Sequence, residues 1–214
     1  MSNNLHILDH PLVGVAISRL RSKESSSQVF RETIAHLSLA LGYEATRDAA
    51  VASFQGETPV SAFEGTKIDS RIGLAPILRA GIGMTDPLLT IFPNAKVYHL
   101  GLFREKVSLQ PVEYYSKLPT VPTVDQVFIL DPMIATGGTA VAAMQMIVDW
   151  GIPVKNIKLL SVLASEEGLK HVQESYPELE IWVAAVDKTL TAEGLIQPGL
   201  GDAGDRIFNT VRDH

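Results

Sequence analysis

The residues Asp131-Pro132-Met133-Ile134-Ala135-Thr136-Gly137-Gly138-Thr139 place a carboxylate, two adjacent glycines and two threonine hydroxyls directly after the apolar run Val127-Phe128-Ile129-Leu130. The order is strand, acid, small-residue loop and then helix, and it can bind an anion. Gly137 and Gly138 let the backbone approach a ligand closely. The helix that follows supplies unpaired N–H groups and the positive end of its dipole. Asp131 falls at the carboxyl end of the strand, where crevices open in parallel sheets. A carboxylate there repels a bare phosphate but accepts hydrogen bonds from sugar hydroxyls, so the combination favours a sugar phosphate. An isolated Thr-Gly-Gly-Thr would read as a plain capped turn; the apolar strand and the terminal acid shift the balance. No Gly-x-x-x-x-Gly-Lys-[Ser/Thr] stretch is present, and Gly81-Ile82-Gly83 lacks the third glycine of a dinucleotide fingerprint.

Such a loop needs a sheet to carry it, and the chain alternates accordingly. Val29, Phe30, Ile34, Leu37 and Leu41 recur at helical spacing within a helix expected over Ser25 to Ala50. A short strand is expected around Val60 to Phe63. Strands are expected at Ile72–Ile77, Lys96–Phe103, Gln126–Leu130, Ile157–Ala164 and Ile181–Val186. Helices are expected at Gly83–Ile91, Thr139–Trp150 and Glu166–Tyr176 between them. Nearly continuous apolar strands separated by helices imply a parallel sheet covered on both faces, an α/β doubly wound domain. Two segments break the alternation. Arg104 to Asp125 is polar and proline-containing, and Val112-Glu113-Tyr114-Tyr115 could form a projecting β-hairpin. Thr189 to His214 is rich in glycine and aspartate and lacks helical periodicity. Long irregular segments of this kind tend to be functional.

The bulk composition narrows the function. The 214 residues are 46% hydrophobic and 20% charged, an ordinary globular balance. With no cysteine, disulfides and thiolate metal sites are excluded. The six histidines form no ligand-spaced set. A net charge of −6 offers no basic face for nucleic acid. The N-terminus lacks a signal-peptide pattern, and Thr139 to Trp150 is too short to span a bilayer. A soluble, cytoplasmic protein is expected.

The loop at Asp131 to Thr139 resembles the phosphoribosyl pyrophosphate motif of type I phosphoribosyltransferases, in the form used by the uracil phosphoribosyltransferase family. Pro76-Ile77-Leu78-Arg79-Ala80-Gly81-Ile82-Gly83-Met84, Pro111 to Pro119 and Pro198-Gly199-Leu200-Gly201-Asp202-Ala203-Gly204-Asp205-Arg206 are similar to that family too, as are His10 to Val13 and Tyr43 to Asp48. The resemblance covers nearly the whole chain. It implies that Arg79 and Arg104 hold pyrophosphate and that Asp131 binds ribose hydroxyls. Pro132, Met133 and Ile134 would complete the loop, with Ala135, Thr136, Gly137, Gly138 and Thr139 around the 5-phosphate. Asp202 would lie by the pyrophosphate and Mg²⁺, reached through water. Ile196 and the Gly201, Asp202 and Ala203 backbone would read uracil. Arg104, Asp131 and Asp202 are the candidate catalytic residues.

The resemblance further implies a single domain, 1–214, with a core over about 68–188 and an N-terminal helical segment at 1–55. A β-arm would occupy 104–125, and a base-binding tail 189–214 would join the terminal segments in a small hood. Mg²⁺ would be the metal, held through phosphoribosyl pyrophosphate and water and not by protein ligands. A homodimer or higher homo-oligomer is expected, and GTP activates some members. Two departures stand out: Leu195 replaces a usual tyrosine beside the base loop, and Gly14 to Ala16 lack the usual basic character. Leu195 keeps a transferase for another base open, and a non-catalytic sensor of phosphoribosyl pyrophosphate or a nucleotide is the alternative from another class. Asp187 and Lys188 read as a surface pair.

Overall fold

The computed structural model describes residues 4–104 and 111–210, with 103, 104, 111 and 112 as backbone alone. The chain opens with β1 (Leu5–Ile7) and α1 (Pro11–Arg21). Pro11 suits the first helical turn, and the His10 side chain accepts the Leu12 N–H as N-cap. α2 (Ser27–Ala45) is capped by Ser26 and stops five residues before the expected Ala50. At its end the Thr46 hydroxyl turns back to the Gly42 carbonyl. β2 (Val51–Glu57) and β3 (Ala62–Ile68) follow as an antiparallel ribbon that, among the described residues, pairs with no other strand. The sequence suggested only one short strand here, because both strands are largely exposed and carry few apolar residues in regular alternation.

The sheet proper begins with β4 (Ile72–Leu78), followed by α3 (Ile82–Ile91), β5 (Lys96–Val97) and β6 (Leu100–Arg104). The strand expected over Lys96–Phe103 is thus split. β5 pairs with Gly73 and Leu74, β6 with Ile77 and Leu78. The gap lies opposite Pro76, which has no N–H to give to a ladder. β7 (Pro111–Ser116) returns antiparallel to β6, so the expected hairpin is rooted in the sheet edge; its tip, 105–110, lies outside the described residues. β8 (Gln126–Leu130), β9 (Met133–Ile134), α4 (Gly138–Trp150), β10 (Ile157–Ser165), α5 (Glu166–Ser175) and β11 (Glu180–Asp187) complete the alternation. The order is β1-β11-β10-β8-β4-β6-β7 in a nine-stranded sheet, with β5 and β9 attached to β4 and β10. Every described pairing within this sheet is parallel except β6 with β7.

Alternation along the strands divides the core into two layers. Phe128 and Leu130 join Leu74, Leu160 and residues of α1, α2 and α3 on one face. Val127 and Ile129 join Leu159, Ile181 and the apolar side of α4 and α5 on the other. The tail holds β12 (Thr189–Leu190), β13 (Ile196–Gln197) and α6 (Ala203–Phe208). α6 is too short to show a period in sequence; Asp202 marks its start by accepting the Asp205 N–H at 2.9 Å.

Candidate active site

β8 delivers Asp131 to the sheet edge, and the loop after it stays attached to β10. The Asp131 N–H reaches the Leu160 carbonyl at 3.2 Å, and the Pro132 carbonyl accepts from Val162 and Leu163. Met133 and Ile134 then pair with Leu163 and Ala164. Asp131, Met133, Ile134, Ala135, Thr136, Gly137, Thr139 and Ala140 line a hollow of about 60 Å³ at the start of α4. Gly137 has φ 82°, which a side chain would strain. Pro132 is buried, and Gly138 opens the helix.

The start of α5 braces this loop from behind. The Ser165 hydroxyl donates to the Ala135 carbonyl and accepts the Gly168 N–H at 2.8 Å. A Cβ on Gly168 would lie 2.2 Å from the Ala135 carbonyl, and one on Gly137 would lie 2.6 Å from that of Gly168. His171 Nδ1 lies 2.8 Å from the Thr136 carbonyl. Ser165, Gly168 and His171 were not read as site residues in the sequence. Their only signal is serine and glycine three residues apart at a helix start.

Asp131 keeps slight solvent contact, yet the surrounding protein desolvates its carboxyl and pushes it up to about 7. The Met133 N–H, 3.3 Å from Oδ1, works in the opposite direction. A carboxyl so placed titrates near neutrality and becomes a better acceptor as it ionises.

Arg79 leaves the neighbouring strand at the same edge, since Pro76 pairs with Leu130. The chain folds back at Gly81, where a Cβ would lie 2.4 Å from the Leu130 carbonyl. Arg79 Nη2 donates to Asp205 Oδ1 at 2.8 Å, and Nη1 lies 3.4 Å from the Thr210 hydroxyl. Asp202 is exposed beside it; a Cβ on Gly204 would lie 3.3 Å from Asp202 Oδ1 and 3.6 Å from Arg79 Nη2. Arg79, Asp202 and the tail helix therefore meet. Arg104 ends β6, and its side chain lies outside the described residues.

The base-loop candidates are held by groups the sequence reading passed over. Ile196 is buried in the core layer with α1 and α2, as is Ala203. Between them Gly199 and Gly201 take φ of 63° and 80°. Asp187 forms no surface pair with Lys188. It is buried at the end of β11 and takes a forked ion pair from Arg21, with Nη1–Oδ2 2.8 Å and Nη2–Oδ1 2.6 Å. The Arg21 guanidinium holds that carboxyl below its usual range, against burial, with help from the Gly199 N–H. Arg206 donates to the carbonyls of Leu20, Leu200 and Ser22 and lies over the Phe30 ring. Leu195 stands 61% exposed at the turn between β12 and β13, away from the buried Ile196.

A phosphate-sized hollow, a carboxyl at its rim and an arginine-linked glycine loop at one sheet edge define an α/β protein built for a phosphorylated sugar or nucleotide. The family model described as uracil phosphoribosyltransferase matches residues 7–210. The chain belongs to that family. It is 47% identical over 204 residues to the uracil phosphoribosyltransferase of Roseiflexus castenholzii, covering 95% of this chain and 97% of that one. Against the Desulfitobacterium hafniense protein of the same name the figures are 46% over 207 residues, covering 96% and 98%. The solved structure of the AQ2163 protein from Aquifex aeolicus superimposes with a TM-score of 0.87 at 36% identity, covering 95% and 97%.

Proposed function

We propose that the protein transfers the phosphoribosyl group of phosphoribosyl pyrophosphate to uracil, giving uridine monophosphate and pyrophosphate. The observation that carries this reading is the Asp131 carboxyl at the rim of the Ala135–Thr139 hollow. The 5-phosphate sits against the loop amides and threonine hydroxyls, and Asp131 takes the ribose hydroxyls. As the C1–O bond to pyrophosphate breaks, positive charge grows on the sugar, and an ionised Asp131 stabilises it. The uracil N1 forms the new bond to C1 and loses its proton, so positioning does most of the work. Arg79 and Arg104 take up the charge on the departing pyrophosphate. For Arg79 this means leaving Asp205, its partner in this structure.

Ile196 and the backbone of Gly201, Asp202 and Ala203 match the alternating acceptors and single donor of the uracil edge. Cytosine reverses part of that pattern and would leave buried groups unpaired. Among the described residues no three acidic or histidine side chains cluster closely enough to hold a metal themselves. The donor set fits Mg²⁺ carried on the diphosphate oxygens with Asp202 reaching it through water, where the ion would offset the diphosphate charge. The hood of terminal segments and the β-arm belong to the same single-domain reading.

We also read the protein as a homodimer or larger assembly. The β2–β3 ribbon exposes Val51, Phe54, Val60 and Phe63, and a two-stranded ribbon needs packing to be stable. Among the described residues no helix is long and apolar enough to cross a membrane, and the absence of cysteine suits a cytoplasmic setting.

The test is product formation from purified protein, Mg²⁺, phosphoribosyl pyrophosphate and uracil, with and without GTP, beside cytosine, hypoxanthine and orotate. Uridine monophosphate from uracil alone is expected. Turnover of another base, or tight phosphoribosyl pyrophosphate binding without turnover of any, would overturn the reading.

A further inference from the structure

The Arg21–Asp187 pair does more than join α1 to β11. Its two members hold one residue of the tail by both its N–H and its carbonyl. Asp187 Oδ2 accepts the Gly199 N–H at 3.0 Å, and Arg21 Nη1 donates to the Gly199 carbonyl at 2.8 Å. With the forked ion pair this closes a ring of hydrogen bonds around Gly199. Asp187 is 6% exposed and Arg21 27%, so water competes weakly for these groups. No side chain fits at Gly199, because a Cβ there would lie 2.1 Å from the Ile196 carbonyl.

Gly199 stands midway between the two parts of the tail assigned to the base, Ile196 on one side and Gly201–Ala203 on the other. We propose that Arg21 and Asp187 are positioning residues for the acceptor base: by fixing Gly199 they set the spacing of those two parts, and α1 becomes a strut of the base site. This rests on the reading of the tail as the base site. Neither residue touches the phosphate loop, which is braced by α5. The pair therefore acts first on the base and reaches phosphoribosyl pyrophosphate only indirectly, through Asp202 in the same tail.

The test compares Arg21→Met, Arg21→Lys and the double variant R21M/D187N with the parent protein. The double variant removes both charges together and leaves no unpaired buried ion. Initial rates are measured with each substrate varied at saturation of the other, alongside thermal unfolding. Loss of charge-assisted hydrogen bonds predicts about a ten-fold or larger rise in KM for uracil in R21M and R21M/D187N. KM for phosphoribosyl pyrophosphate should move less than about two-fold, Arg21→Lys should recover part of the loss, and the double variant should cost little more than R21M. An unchanged uracil KM, an equal rise in both constants, or a double variant that no longer unfolds cooperatively would reduce the pair to a structural brace and overturn the assignment. Failure of the parent protein to use uracil would instead reject the underlying function.

Discussion

The phosphate loop and the base loop both aim backbone at a small ligand, but they are held in different ways. Residues 131–139 are contiguous, tied to β10 by main-chain bonds from Asp131, Pro132, Met133 and Ile134, and backed by the first turn of α5. Residues 196–203 have a two-residue ladder, and their support comes from side chains, Arg21 from far away in sequence and Asp187 and Arg206 from either side of the loop. Main-chain support makes a site that varies little with its neighbours' identity. Side-chain support makes one that a few substitutions can retune, which suits the half of the site that chooses among bases.

The difference can be broken most severely at the acid on the rim. Asp131→Asn should lower kcat by about 100-fold or more, since a charge acting mainly in the transition state is lost. In the parent protein kcat/KM for phosphoribosyl pyrophosphate should rise with pH through about 7, as Asp131 ionises, and flatten above it. The asparagine variant should lack that step. Gly168→Ala sharpens the contrast by forcing a Cβ into the Ala135 carbonyl. Overpacking of this kind predicts a rise of about ten- to a hundred-fold in KM for phosphoribosyl pyrophosphate, with KM for uracil nearly unchanged. Gly199→Ala should do the reverse, raising KM for uracil about ten-fold and lowering Tm, because it adds strain at φ 63°.

Stability carries a smaller signature. The Asp131 carboxyl titrates near 3.8 in the unfolded chain and near 7 in the folded one. Between those values the folded state binds the extra proton, so ionisation costs stability as pH rises through the window. Asp131→Asn should therefore raise Tm at pH 8 by roughly 2–4 °C for each ~1 kcal/mol relieved. The advantage should vanish at about pH 4, as thermal melts across pH would show. Least of all, Leu195→Tyr should change uracil kinetics less than about two-fold, because that side chain points to solvent. A large change would place position 195 in the base pocket after all.

The same contrast explains what the sequence made legible. β8, the acid, the glycines and α4 lie in one stretch, so their order alone predicted strand, loop and helix, and β8 runs from Gln126 to Leu130 as expected. The alternating strands of the sheet core were legible because burial on both faces makes them apolar throughout. The β2–β3 ribbon was half missed because, among the described residues, little of it is buried. Arg21 and Asp187 were missed because their meaning lies in a contact spanning 166 positions; read locally, one is a helix-end arginine and the other half of a surface pair. Arg79 was read as a pyrophosphate ligand, and in this structure it is paired with Asp205.

The most direct test of this division of labour is a crystal structure of the protein with uridine monophosphate, which carries a phosphate and a base on one ribose. The phosphate is predicted within hydrogen-bond distance of the Thr136–Thr139 amides, with the ribose hydroxyls on Asp131 and the uracil edge against Ile196 and Gly201–Ala203. A nucleotide seated with its phosphate away from that loop, or with its base turned away from the tail, would contradict it.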